Sequence, residues 1–215
     1  MLLRIALIRR LGWGVMTLLA LVIATYAIAI LFVPSRRPPF LQQRFLIMPL
    51  AAGLHLAASA VALAVGPLQH NSRIRSGFLG LHRWLGRTYV LAVICGGGAA
   101  LALATASQGG LPTHVGFGLL AVLWLSATAV AYRAIRRGDQ VSHRRWMTRS
   151  YALTFAAVTL RIYLPVSLAV GLPFEPAYQT ISWLCWVPNL VMAEWLLLRL
   201  PAVARVTERG PVVAA

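Results

Sequence analysis

A short element occurs twice in the sequence and carries the residues best suited to chemistry. The copies are residues 81–89 and 143–151, and the second has one extra residue. In each copy a His-Arg pair is followed by Trp, then Arg, a small hydroxyl residue and Tyr, and a long apolar segment comes next. Trp and Tyr favour the headgroup layer of a membrane, and Arg favours its cytoplasmic side. Each copy therefore predicts the inner-leaflet start of a membrane-spanning helix that carries a histidine, His82 or His143.

Histidine is the main candidate ligand, because the sequence has two cysteines and four acidic residues. The spacing of His55 and His82 resembles that of His114 and His143, which indicates a tandem pair of helical hairpins. Such a pair places His82 opposite His143 at the inner edge of a four-helix bundle, and bundle cores hold haem between axial histidines. We therefore predict one b-type haem bound by His82 and His143. Its propionates would emerge beside four arginines, which can bind carboxylates bidentately: Arg83, Arg87, Arg144 and Arg145.

The same repeat sets His55 against His114 in an outer cofactor site. By run length His55 lies below the outer surface and His114 lies at it, a difference in depth of about 13–15 Å at about 1.5 Å per residue. One haem cannot bridge that distance. The alternative interpretation is structural: His82, His114 and His143 would anchor their helices among the headgroups, and His55 would bond to a neighbouring helix.

Three other polar residues interrupt the later apolar segments. Arg161 lies near the bilayer centre, where an arginine costs about 2.5–3.5 kcal/mol unless it finds a partner or water. Glu194 is the acidic residue within a predicted span, so we predict that Arg161 and Glu194 lie within direct or water-mediated reach. The pair would form a structural salt bridge, contact a propionate or a quinone, or belong to a proton path. Asn189 lies in the same segment as Glu194.

The composition indicates a multipass membrane protein, since 60% of the residues are hydrophobic and 11% are charged. The net charge of +16 comes from arginine alone. The arginines lie in the gaps between apolar runs, where topology signals belong, and not on a soluble face suited to nucleic acid. We therefore exclude a nucleic-acid partner and expect a lipid bilayer around the chain.

We predict an all-α, six-span integral membrane bundle in which residues 1–215 form one domain. Its core is expected to be spans two to five, arranged as a tandem hairpin repeat. The first apolar run has the roughly 20 residues needed to cross a bilayer, which is too long for a secretory signal. Residues 34–44 are expected to form a proline-rich loop, Pro165 predicts a kink, and the tail after Arg199 is expected to be poorly ordered. The spans are residues 12–33, 45–68, 87–106, 115–132, 148–170 and 178–198.

Counting arginines orients the bundle. Six spans put both termini on one side, and 16 of the 20 arginines lie on that side. The opposite side has Arg36, Arg37 and Arg44. The excess of positive charge marks the cytoplasmic side. We therefore predict that both termini are cytoplasmic and that the protein lies in a bacterial inner membrane.

Two motifs carry a resemblance to known proteins. The run His-Arg-Trp-Leu-Gly-Arg at residues 82–87, together with His-Arg-Arg-Trp-Met at residues 143–147, resembles a bacterial family of predicted multipass membrane proteins of unassigned function. The resemblance covers roughly residues 46–199 and implies a family but no activity. More distantly, six helices with histidines on helices two to five are similar to the di-haem cytochrome b family of transmembrane ascorbate and ferric reductases. That similarity implies haem and electron transfer.

The function predicted from these features is haem b binding and electron transfer in the membrane, with a quinone or a redox partner protein. Two alternatives stay open. The first is a transporter or channel without a cofactor, whose polar path would be lined by Arg161, Glu194 and Asn189. The second is a membrane assembly or scaffold protein. No sequence motif decides whether the protein is an enzyme, and none indicates its oligomeric state.

Overall fold

The computed structural model describes residues 2–199, and every regular element within them is helical. Six segments are long and apolar enough to cross a membrane, which confirms the predicted fold class. The predicted tail after Arg199 lies outside the described residues. The helices are α1 (Leu2–Phe32), a 3₁₀ turn (Pro34–Arg36), α2 (Pro39–Ile47), α3 (Pro49–Gln69), α4 (Ser72–Gly77), α5 (Leu79–Ala104), α6 (Leu111–Arg136), α7 (Gln140–Thr154), α8 (Ala156–Ala169), α9 (Phe174–Leu184) and α10 (Val187–Leu198).

The four middle spans form two packed hairpins. Helix α3 packs along α5, α6 packs along α7, and α5 joins the hairpins by packing against α6. Helix α1 covers α3, while α9 and α10 lie against α6 and α7. We call the end of the bundle that holds α4, the starts of α5 and α7 and the last turn of α6 the arginine-rich end. The other end, with α2 and residues 105–110 and 170–173, is the opposite end.

Glycines let the helices of the core approach closely. A Cβ added at Gly66 on α3 would lie 2.0 Å from the ring of Tyr151 on α7, and one added at Gly97 on α5 would lie 2.8 Å from Leu125 on α6. A side chain at either position would require its neighbour to move. Close backbone approach of this kind is a common basis of helix association in membranes.

The predicted loop at residues 34–44 is partly helical, which corrects the sequence interpretation. Proline is tolerated at the first helical positions, where its missing N–H is not required, and Pro39 and Pro49 begin α2 and α3. Arg37 closes the preceding helix, since its guanidinium donates to the carbonyl oxygens of Ile30 and Leu31 at 2.8 Å each. Such bonds satisfy carbonyls that the end of a helix leaves open.

The third and fifth spans begin earlier than predicted, at Leu79 and Gln140 instead of residues 87 and 148. The start of α7 is set by Asp139, whose carboxylate accepts the N–H of Ser142 at 2.8 Å in an N-terminal cap. As a result, His82 and His143 lie within the first turns of their helices and not ahead of them.

The last two spans are each interrupted once. The break in the fifth span is at Phe155, between α7 and α8, whereas Pro165 lies inside α8. The sixth span breaks between α9 and α10. Asn189 joins the two breaks, because its side-chain amide donates to the carbonyl of Cys185 at 2.9 Å and to the hydroxyl of Thr159 at 3.2 Å. These contacts place Asn189 between helices as a structural link.

Candidate functional site

A cavity of about 210 Å³ lies inside the bundle toward its opposite end. Helices α2, α3 and α5 to α9 all contribute to its walls, which are mostly apolar. Its polar lining residues include Arg44, His55, Ser59, Gln108, Thr154, Arg161 and Tyr178. Largely apolar cavities with a few convergent polar groups are the usual form of small-molecule sites in proteins.

Arg161 is the central charge of this cavity. One of its Nη atoms donates to the carbonyl of Ala157 at 3.0 Å, and its guanidinium lies 5.9 Å from the centre of the Tyr26 ring. Within residues 2–199 no carboxylate pairs with Arg161. An arginine held inside a membrane without a carboxylate is costly, and such residues commonly mark substrate or ion sites.

Glu194 pairs with Arg149, so the predicted pairing of Arg161 with Glu194 is wrong. Arg149 binds the carboxylate through two bonds, Nε to Oε1 at 2.5 Å and Nη2 to Oε2 at 2.8 Å. Its guanidinium also lies 4.6 Å from the centre of the Trp146 ring. Depth explains the choice of partner. At about 1.5 Å per residue, Arg161 lies on the order of 18 Å farther along the α7–α8 segment than Arg149.

His55 and His114 occupy separate places. The Nδ1 atom of His55 lies 2.9 Å from the carbonyl oxygen of Gly96 and 3.4 Å from the Ser59 hydroxyl, and the residue lines the cavity. A carbonyl oxygen only accepts, so Nδ1 carries the proton and Nε2 is left as an acceptor. His114 instead bonds through Nε2 to the carbonyl of Ser107 at 3.0 Å.

Three histidines gather at the arginine-rich end, and we call His70, His82 and His143 the histidine cluster. Nδ1 of His143 donates to the carbonyl of Ala131 at 2.9 Å, which leaves Nε2 without its proton. His82 lies within electrostatic reach of both other histidines, and its own Nδ1 is buried with no hydrogen-bond partner among the described residues. The structure thus brings the two predicted haem ligands into one neighbourhood.

His70 was missed by the sequence analysis. Its Nδ1 donates to the carbonyl of Gly66 at 3.1 Å, and its ring centre lies 5.3 Å from that of Tyr151. Burial lowers the pKa of His70, the bond to Gly66 opposes that change, and the charge of Arg75 adds to it. His70 lies two residues after the end of the second predicted span, and that position was the signal available in the sequence.

The arginines of the repeated element are mostly exposed at the arginine-rich end. Arg83, Arg87 and Arg144 are exposed, and Arg145 is half-buried. Arg144 lies close enough to Arg75 to lower the pKa of that guanidinium, although burial is the larger cause. Within the described part of the chain, no group of three or more His, Cys, Asp or Glu side chains has the geometry of a metal site. A haem held by two histidines is not tested by that observation.

These features define a six-span membrane protein with an internal cavity at one end and a histidine cluster at the other. The chain belongs to the predicted membrane protein family DUF2306, whose model matches residues 52–197. That range includes both copies of the repeated element. The match confirms the predicted resemblance to a membrane family of unassigned function. No curated protein and no solved structure matches the chain, so the distant similarity to di-haem reductases gains no support.

Proposed function

We propose that this protein binds a lipophilic organic molecule whose head group is anionic or strongly hydrogen-bond accepting. The observation that carries the proposal is Arg161, a cation on the wall of an apolar cavity with no carboxylate partner within residues 2–199. A carboxylate or a quinone carbonyl would accept hydrogen bonds from the guanidinium and offset the cost of holding that charge inside a membrane.

Other groups in the cavity fit the same chemistry. Arg44 supplies a second cation from α2, and Tyr178 and Gln108 supply further donors. The remaining walls come from Leu, Ala, Phe and Trp side chains, which suit an acyl or isoprenoid tail. Carrying or sensing such a molecule would not require a catalytic motif, and this corresponds to the transporter alternative.

The cavity would face away from the cytoplasm. The excess of arginine at the arginine-rich end favours the cytoplasmic side of a bacterial inner membrane for that end. The cavity would then be reached from the external side or from the outer leaflet.

Ligand-induced stabilisation tests the proposal. Purified full-length protein in detergent is heated with decanoate, decylubiquinone or decanol, where decanol serves as the neutral control. Stabilisation at 100 times Kd is about 2.7 kcal/mol, so decanoate or decylubiquinone should raise the Tm. Arg161→Gln should abolish that rise, and Arg83→Gln, at the other end of the bundle, should keep it. Equal shifts with decanol, or no shift with either polar probe, would overturn the proposal.

A second candidate is haem b binding and electron transfer through His82 and His143. The observation that favours it is the bond from His143 Nδ1 to the Ala131 carbonyl, since iron-binding histidines usually donate their other nitrogen to a carbonyl or carboxylate. Bound haem would supply one-electron chemistry, with a quinone or a redox protein as partner. A reduced-minus-oxidised spectrum lost in both His82→Ala and His143→Ala would support it. A haem-free protein purified from haem-replete cells would reject it.

A further inference from the structure

Four buried hydroxyl groups form a continuous hydrogen-bonded chain across α5, α6 and α7. Tyr89 lies 2.7 Å from Thr154 and 2.8 Å from Ser150, and Ser150 lies 2.7 Å from Thr128. Trp124 Nε1 donates to the Thr154 hydroxyl at 2.8 Å. All five side chains are buried. We call Thr154, Tyr89, Ser150 and Thr128 the hydroxyl chain.

The hydroxyl chain can be fully bonded in two opposite directions. In the first, each hydroxyl donates to the next from Thr154 through Tyr89 and Ser150 to Thr128, which donates to the carbonyl of Trp124 at 2.8 Å. In the second, the bonds run from Thr128 back to Thr154, which donates to the carbonyl of Ser150 at 3.0 Å. Each end therefore has a carbonyl that accepts its proton when the direction reverses. Every hydroxyl therefore has an acceptor for its proton in either direction. The four hydroxyls can rotate from one direction to the other without leaving a buried polar group unpaired.

One end of the hydroxyl chain reaches the cavity. Thr154 and Trp124 both line it, together with His55 and Ser59. A Cβ added at Gly96 would lie 3.5 Å from both the Ser59 hydroxyl and the Trp124 ring, which shows that these two side chains are neighbours. His55 thus supplies an imidazole that can bind and release protons near this end.

The other end points toward the histidine cluster. Tyr151 follows Ser150 in α7, lies within electrostatic reach of Tyr89 and packs against the ring of His70. Thr128, the last hydroxyl at this end, lies three residues before Ala131 in α6, and the carbonyl oxygen of Ala131 accepts a hydrogen bond from Nδ1 of His143 at 2.9 Å.

We propose that the hydroxyl chain conducts protons between the cavity and the histidine cluster. A proton from the cavity binds the Thr154 oxygen, and the proton that Thr154 held passes to Tyr89. Tyr89 passes its own proton to Ser150, Ser150 passes one to Thr128, and Thr128 releases one toward His143, whose Nε2 can accept it. Each oxygen gains one O–H bond and loses one, so no net charge remains, and rotation of the hydroxyls restores the first direction.

Charged and titratable groups face the path at both of its ends. Arg161 and Arg44 face the cavity and repel incoming protons, and Arg75 and Arg144 lie beside the histidine cluster. Removing the cation of Arg161 should therefore increase conduction. Proton conduction along the hydroxyl chain does not require a particular ligand in the cavity.

Proton flux into liposomes tests the path. Full-length protein is reconstituted in vesicles that contain a pH-sensitive dye, and a potassium gradient with valinomycin drives proton entry. The wild type should acidify the lumen faster than protein-free vesicles do, and Arg161→Gln should be faster still. Tyr89→Phe, which removes the middle hydroxyl and keeps the ring, should return the rate to that of protein-free vesicles. Tyr132→Phe, at an exposed tyrosine outside the hydroxyl chain, is the matched control and should match the wild type.

A second variant of the hydroxyl chain distinguishes loss of the path from a folding defect. Thr128→Val replaces a hydroxyl with a methyl group of similar shape and should also abolish flux, while size-exclusion elution stays unchanged. Flux that persists in folded Tyr89→Phe or Thr128→Val would overturn the proposal. Wild-type and Arg161→Gln rates that both equal the protein-free rate would overturn it as well. Ligand-induced stabilisation is measured separately, so either proposal can fail alone.

Discussion

At the scale of single residues, the two arginines of the fifth span differ in their bonding partners. Arg149 shares two hydrogen bonds with Glu194, whereas Arg161 has a backbone carbonyl and a distant aromatic ring. Bidentate bonds between charged groups stabilise a fold, and an uncompensated charge destabilises it. The two arginines therefore should respond differently to substitution.

Glu194→Gln should lower the free energy of unfolding by about 1.5–3 kcal/mol, the range for hydrogen bonds to charged groups. Arg161→Leu should raise the free energy of unfolding of ligand-free protein, because it removes a half-buried cation without a carboxylate partner among the described residues. Denaturant unfolding in detergent, followed by tryptophan fluorescence, measures both. Equal destabilisation by the two substitutions would show that Arg161 has a stabilising partner.

His70 should make the stability of the protein depend on pH. Burial holds its pKa in the folded protein below the ordinary value of about 6.5. Between the folded and the ordinary pKa the unfolded chain binds more protons, so stability rises with pH and falls as the pH drops below about 6.5. The Tm should decrease between pH 8 and pH 5.5. His70→Gln should show a smaller decrease, and an unchanged profile would contradict this role.

At the scale of helices, close contacts between small residues position the site. Gly66 lets α3 approach α7, where the ring of Tyr151 packs against His70. Gly96 places α5 against Ser59 and Trp124, and its carbonyl holds His55. The same helix contacts therefore support both the packing and the two polar sites.

Gly66→Ala should destabilise the protein by about 1–3 kcal/mol, the usual cost of overpacking, because the added methyl group meets the Tyr151 ring at 2.0 Å. Gly98→Ala is the matched control, since a Cβ there meets nothing within 4 Å. That substitution should be neutral, or stabilising by up to about 1 kcal/mol through helix propensity. Thermal unfolding of both variants checks the difference, and similar Tm values would contradict the close contact between α3 and α7.

At the scale of the whole molecule, charge is distributed unequally between the two ends of the bundle. The arginine-rich end carries the histidine cluster and the repeated elements, and the opposite end carries the cavity. A path between them would run through the core formed by α3, α5, α6 and α7.

Reporter fusions should reveal the orientation of the bundle. Fusions within residues 133–149 or after Leu198 should be cytoplasmic, while fusions near Gly109 or Glu175 should be external, because positive charge is retained inside. Alkaline phosphatase and fluorescent-protein activities measure the two locations. Phosphatase activity from the fusion after Leu198 would reverse the orientation.

Local information along the chain was sufficient for the class of fold. Apolar runs of bilayer length, separated by arginine-rich gaps, depend on composition within a short window. For that reason the six helical spans were predicted correctly, and so was membership of a membrane family of unassigned function. The repeated element also located His82 and His143 at helix starts, although the helices begin earlier than the apolar runs. Capping by Asp139 accounts for the earlier start of α7.

Side-chain partners depended on the three-dimensional arrangement. Glu194 pairs with Arg149 instead of Arg161. The choice depends on the relative depth and rotation of two helices, and the residue pattern of a single helix does not give either. The cavity, the approach of His70 to Tyr151 and the hydroxyl chain each join residues from different helices, far apart in sequence. The sequence does not show which Ser, Thr and Tyr residues of the apolar segments are bonded to one another, because packing of different helices brings their hydroxyl groups within bonding distance. The sequence therefore identifies a membrane bundle with reactive residues, and tertiary contacts decide which of them act together.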